Sequence, residues 1–201
     1  MAIKNNREYR MASVEFRALE NEDNKYIVEG YATTWNEPYV MYSYEGKDYS
    51  EQIDRHALDD ADMSDVIFLY NHEGMVYARL SNGTLTIDLD EKGLHIVADL
   101  SSTEQSRQMF ESIKAGLVTQ MSWSFTIADG GDKYDEKKRL RTITGVKRVY
   151  DVSAVSIPAN PATDISARTY FDGVIEEGRR RDREAEEIRE RIRKIIEGES
   201  K

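Results

Sequence analysis

A mainly β domain with flanking helices, followed by a charged helix of its own, is the architecture this sequence predicts. Three observations carry that expectation. From Ala12 to about Leu100 apolar residues recur at nearly every second position, the period of strands with one buried face. The stretch from Ser101 to Gly116 switches to helical spacing between a start and a stop signal. Beyond Asp172 the composition shifts abruptly to near-continuous charge with isoleucines at helical spacing. The chain therefore divides into a folded domain, residues 1–170, and a charged helical tail, residues 171–201.

The elements follow in order. "SVEFRALE" alternates, and "YIVEGYATTW" nearly does. "QIDRHALDDA" interrupts the strands as a short helical candidate with Asp54 placed to cap it. "VIFLYNHEGM", Val66 to Met75, is a core-like strand that delivers a histidine at its exit. "TLTIDLD" and "GLHIVADL" form a hairpin closed at Asp90 to Gly93, where the glycine would supply a positive φ. In "SSTEQSRQMFESIKAG", Ser101 or Ser102 with Glu104 or Gln105 makes a capping box, and Gly116 ends the helix. Met109, Phe110, Ile113 and Leu117 fall on one face of it, which reads as core. "LVTQMSWSFTIA" returns to strand, "DGGDKYDEKK" reads as a mobile polar loop, and "RLRTITGVKRVYDVSAVSIPA" as two strands broken near Gly145. The two prolines of "PANPA" then end the sheet. In the tail, Ile188, Ile192 and Ile195 or Ile196 make a narrow apolar stripe that suits a solvated helix or a partner-binding segment.

Composition excludes several functions. A hydrophobic content of 39% over 201 residues is enough for a real core. The net charge of -10 would repel a phosphate backbone, so no nucleic-acid partner is expected. No apolar run is long enough to span a bilayer and "MAIKNNREYR" lacks the apolar centre of a signal peptide, so no membrane partner is expected and the chain should stay in the cytoplasm. With no cysteine, thiol catalysis is excluded. His56, His72 and His95 have no metal-ligand spacing, and neither a metal nor a cofactor is expected.

The residues able to do chemistry are few. Ser122 and Ser124 lie on one face of the "MSWSF" strand, with Met121, Trp123 and Phe125 on the other. That alternation fits an ordinary half-exposed strand as well as a nucleophile. A serine nucleophile needs a base within hydrogen-bond reach and a third group to orient the base. His72 offers the base. For the third group the sequence offers Asp151, Glu73 and His95, of which Asp151, flanked by Val149, Tyr150 and Val152, is the acid best placed to project from a neighbouring strand. His95 falls on the polar face of its strand. No GxSxG elbow is present, which argues against an esterase-like hydrolase.

The succession "EGYATTWNEPY", "DRHAL", an apolar strand ending in "NHE", "GLHIVADL", a helix ending in Gly116, "MSWSF" and "YDVSAVSIPANPAT" resembles the prohead protease family of tailed bacteriophages over about residues 12 to 168. The resemblance implies a capsid-maturation serine endopeptidase with a small β-barrel surrounded by helices, similar in fold to the herpesvirus assembly protease. It implies His72 as general base and Ser122 as nucleophile, with an acidic residue commonly at the place of Asp151; a second histidine in the herpesvirus enzymes keeps His95 in view. The partners implied are the major capsid protein and its scaffold segment, with self-cleavage and self-association, inside an assembling procapsid in the host cytoplasm. A non-catalytic assembly factor that keeps the fold and binds scaffold through its tail is the alternative. One departure stands out: many relatives have glycine where this chain has Ser124, which bears on the local backbone and the oxyanion pocket.

Overall fold

This computed structural model describes residues 7–12, 16–19, 25–156 and 165–198, and among them thirteen strands form three open sheets. The first sheet holds, in spatial order, β1 (Glu8–Ala12), β10 (Gln120–Ile127), β13 (Val146–Val155), β6 (Ile67–Tyr70) and β7 (Glu73–Arg79). The second runs β2 (Phe16–Leu19), β3 (Ile27–Thr34), β9 (Gly93–Asp99), β8 (Leu85–Leu89). The third runs β11 (Asp132–Asp135), β12 (Leu140–Ile143), β5 (Lys47–Ile53), β4 (Tyr39–Tyr44). Strands pair antiparallel except β13 with β6 and β12 with β5.

The mainly β class with flanking helices holds, but the closed barrel does not. Closure needs an unbroken ladder from the last strand of a sheet back to its first, and each of these sheets ends on two different edge strands. One apolar core joins them instead, with Val28, Ile53, Phe68, Ile96, Trp123 and Val152 all buried in it. The alternation in "GLHIVADL" fills it, Leu94, Ile96, Ala98 and Leu100 pointing inward. Phe110 and Ile113 of α1 (Glu104–Lys114) cover its flank, Phe110 packing edge-on against Tyr26 at 5.2 Å. On that helix Leu117 is not part of the buried face; it lies past the end and is exposed.

Four local expectations change. "QIDRHALDDA" ends β5 at Ile53 and then runs as turns from Arg55 to Asp60, because Val146 N–H takes the Ala57 carbonyl that a helix would use internally. Asp54 still accepts from His56 N–H at 2.9 Å. The cap of α1 is Thr103, accepting from Ser106 N–H at 3.0 Å, since the Ser101 hydroxyl is taken by Tyr26 N–H. Gly93 has no positive φ: a side chain there would strike the Thr33 carbonyl at 2.0 Å, so close strand approach requires this glycine, while Asp90 closes the turn on Lys92 and Gly93 N–H. "DGGDKYDEKK" contains a strand, β11, held because the Gly131 carbonyl accepts from both Thr144 and Gly145 N–H.

The C-terminal helix α2 (Ile165–Gly198) begins before residue 171. Phe171 is fully buried against Met41 and Tyr49, and Arg179 and Arg181 pair with Glu45 and Glu136. Further along, Ile188, Ile192, Ile195 and Ile196 are all half or more exposed. Among the described residues no helix is long and apolar enough to cross a membrane.

Candidate active site

The first sheet brings Ser122, Asp151 and His72 together from three elements far apart in sequence. Antiparallel pairing sets Ser122 of β10 opposite Ser153 of β13, and Ser124 opposite Asp151. Paired residues share a face, so four polar side chains form one patch between strands whose other face carries Trp123 and Phe125, stacked at 4.0 Å. A bulge at Tyr150 shifts the register between Ser124 and Phe125; it lets Val149 and Asp151 serve opposite faces. β13 is an interior strand, not an edge, and all four polar residues of the patch are buried.

His72 arrives from the neighbouring hairpin. Tyr70 pairs with Glu73, leaving Asn71 and His72 as a two-residue connection with φ of 51° and 61°. Both lie in the left-handed region, which a primed hairpin turn demands and which costs a residue other than glycine on the order of 1–3 kcal/mol. The turn is pinned to the end of β13: Asn71 N–H donates to the Ala154 carbonyl at 3.0 Å, and Asn71 Oδ1 accepts from Ser156 N–H at 3.3 Å. The strain is therefore held by β13, the strand that also carries Asp151.

The geometry is that of a hydrogen-bonded relay. His72 Nε2 lies 2.7 Å from Ser122 Oγ, and His72 Nδ1 lies 2.6 Å from Asp151 Oδ1. Ser153 Oγ donates to Asp151 Oδ1 at 2.8 Å, and Ser124 Oγ donates to Oδ2. Burial pushes the Asp151 pKa up, but the hydrogen bond and charge of His72 and the two serine hydroxyls outweigh it and hold the carboxyl below the usual aspartate range. An ionised carboxylate only accepts, so Nδ1 carries the proton and Nε2 offers its lone pair to Ser122. The His72 side chain is 14% exposed and Ser122 is not exposed at all. Tyr9 packs edge-on against the imidazole at 4.8 Å.

The other candidates for the third position lie elsewhere. Glu73 is exposed at the start of β7. His95 sits in the second sheet, 3.8 Å from Glu29, with its ring tilted against Tyr31 at 4.9 Å. His56 is exposed and pairs with Asp59. Among the described residues no three His, Asp or Glu side chains are grouped to hold a metal ion. Sequence reasoning missed Ser153, two residues after Asp151 and so on the same strand face, and gave Ser124 no partner. It also missed β1, whose Arg10 carbonyl accepts from Ser122 Oγ at 3.0 Å.

The sequence pattern of the caudovirus prohead serine proteases matches residues 12–174. No curated protein and no solved structure matches the chain. The match covers well over half of the residues, and the chain belongs to that family of capsid-maturation serine proteases.

Proposed function

We propose that this chain is a serine endopeptidase acting inside the assembling procapsid, with Ser122 as nucleophile, His72 as general base and Asp151 as the acid that orients the base. The observation that carries the reading is the pair of distances on the two imidazole nitrogens, 2.7 Å to Ser122 and 2.6 Å to Asp151. Ser122 Oγ attacks the scissile carbonyl carbon while His72 Nε2 takes the hydroxyl proton; the same proton passes to the leaving amine, and an acyl-enzyme remains. Water then attacks the acyl carbon with His72 again as base, and serine and carboxylic acid are regenerated. Asp151 keeps the tautomer fixed and stabilises the imidazolium without itself taking the proton.

Ser124 and Ser153 give Asp151 two neutral donors, so it stays ionised without a second cation that would compete with His72. In this reading Ser124, in place of the glycine of many relatives, belongs to the support of the acid. The substrate is the major capsid protein or its scaffold-like segment, and the chain also cuts itself. The domain division belongs to the same reading, with the chemistry in residues 1–170 and a partner-binding role in the exposed isoleucines of α2. Mixed charge around that helix suits reversible docking on a helical scaffold segment, which would raise the local concentration of substrate.

The test is incubation of the purified chain, alone and with its capsid protein, followed by mass spectrometry. Discrete cleavage of the capsid protein that disappears in His72→Ala is expected. Intact capsid protein under conditions where procapsids form would overturn the reading in favour of a non-catalytic assembly factor.

A further inference from the structure

The slot along β10 that β1 fills is left unexplained by the chemistry above. Ser122 is fully buried, and the main chain of β1 lies on it: Ser122 Oγ donates to the Arg10 carbonyl at 3.0 Å, while Tyr9 packs on His72. A hydroxyl carries one proton. The Arg10 carbonyl at 3.0 Å competes with His72 Nε2 at 2.7 Å for that proton, and no peptide can reach the serine while β1 lies on it. β1 is a five-residue edge strand that among the described residues ladders only to β10, antiparallel, with Met11 opposite Ser122. An extended peptide laid along a strand edge makes the same ladder. Its carbonyl at the place of Arg10 would be the one nearest the nucleophile.

The Arg10 side chain turns to the opposite face of the sheet and is almost fully buried there. Its Nε and Nη2 donate to the two oxygens of Glu51, Nη2 also donates to Glu8, and its guanidinium lies 5.7 Å from the Phe125 ring. Glu51 is wholly buried, belongs to β5, and also accepts from Tyr39 at 2.8 Å and Arg141 at 3.2 Å. If β1 left, Glu8 would go with it and Glu51 would stay. A buried carboxylate stripped of a bidentate guanidinium partner is strongly disfavoured, and a second basic side chain restores that pairing.

The geometry points to β1 as an internal occupant of the substrate groove, with Glu51 making arginine or lysine the preferred residue at the Arg10 position of the peptide that displaces it. The inference rests on Ser122 as nucleophile. It explains how a family protease keeps a complete relay and an inaccessible serine in one structure: the groove is filled by the chain's own strand until a better-fitting segment competes. Leucine at that position would leave Glu51 with Arg141 and Tyr39 alone, and glutamate would add repulsion.

The test uses the full chain. New chain ends in the cleaved capsid protein are mapped by mass spectrometry, and kcat/KM is measured on two peptides differing only in arginine or leucine before the scissile bond. Arginine or lysine should precede most cut bonds, and the arginine peptide should be favoured at least about tenfold, the value of a charged hydrogen bond. Glu51→Gln should bring that ratio to within about threefold of unity. Cut bonds that follow apolar or acidic residues in the wild type would overturn the inference, as would a folded Glu51→Gln protein that keeps the ratio. Should Glu51→Gln fail to fold, the wild-type bond map and peptide pair decide alone. Cleavage that survives Ser122→Ala overturns the nucleophile assignment and this inference with it, an outcome distinct from the first two.

Discussion

Asp151 and Glu51 are both buried carboxylates held below their ordinary pKa range, yet they are held in different ways. For Glu51, burial pushes the pKa up, and the charge and hydrogen bonds of Arg10, then Arg141 and Tyr39, pull it below. For Asp151 the pull comes from one imidazole and two serine hydroxyls. Two guanidiniums neutralise Glu51 with permanent charge and lock β1, β5 and β12 together. Neutral donors around Asp151 leave its charge uncompensated except by His72, so the carboxylate stabilises an imidazolium when one forms. The difference separates an acid that joins sheets from an acid poised to act through its neighbour.

The largest expected effect falls on Asp151. Asp151→Asn removes the charge and the fixed tautomer, so turnover should fall by up to about four orders of magnitude, while circular dichroism stays that of the wild type. Turnover within a few-fold of wild type would erase the distinction between the two acids.

Glu51→Ala should act on stability instead. Removing one partner of a buried ion cluster costs about 3–5 kcal/mol, here because Arg10 and Arg141 lose their shared acceptor. Urea denaturation reads it directly, and an unchanged midpoint would show that the cluster does not hold the sheets. A smaller effect of Asp151 lies in the pH dependence of stability. The folded pKa of Asp151 is lowered, so its ionised form contributes stability fully above the unfolded value of about 3.9, and that contribution is lost as pH falls through the lower folded value. Asp151→Asn should flatten this acid limb in a pH series of thermal midpoints; an identical limb in both proteins would contradict it.

The smallest effect is expected in the outer part of α2. Ile192→Ser removes an exposed side chain and should change stability by no more than about 0.5 kcal/mol. A chain ending at Arg183 keeps Phe171 and Arg179 docked, so it should cleave a short peptide at the wild-type rate yet enter procapsids poorly. Lost peptide cleavage, or unchanged incorporation, would show that the outer helix is not a separable targeting element.

Much of this was legible in sequence because period and caps are local signals. Alternation located the strands around Ser122 and Asp151, and the shift to charge located α2. What was not legible depends on distant chain. Whether "QIDRHALDDA" coils or turns is decided by Val146 taking the Ala57 carbonyl. Gly93 is required by Thr33 in a neighbouring strand, not by its own turn. Asn71 and His72 carry no glycine signal for a primed turn, and only their anchoring to Ala154 and Ser156 explains the strained backbone. The apolar alternation that predicts sheets says nothing about whether their edges meet, so closure into a barrel was never written in it. Strand β1 alternates over only four residues, Glu8 and Arg10 against Tyr9 and Met11, too short a run to single it out, and only the structure reveals what it covers.

The central claim, that Ser122 is the nucleophile and Ser124 its acid's support, is tested most directly by assaying Ser122→Ala and Ser124→Ala side by side on the capsid protein. The account predicts that Ser122→Ala cleaves nothing, while Ser124→Ala still cleaves at a reduced rate. A Ser122→Ala protein that cleaves normally beside a dead Ser124→Ala protein would contradict it.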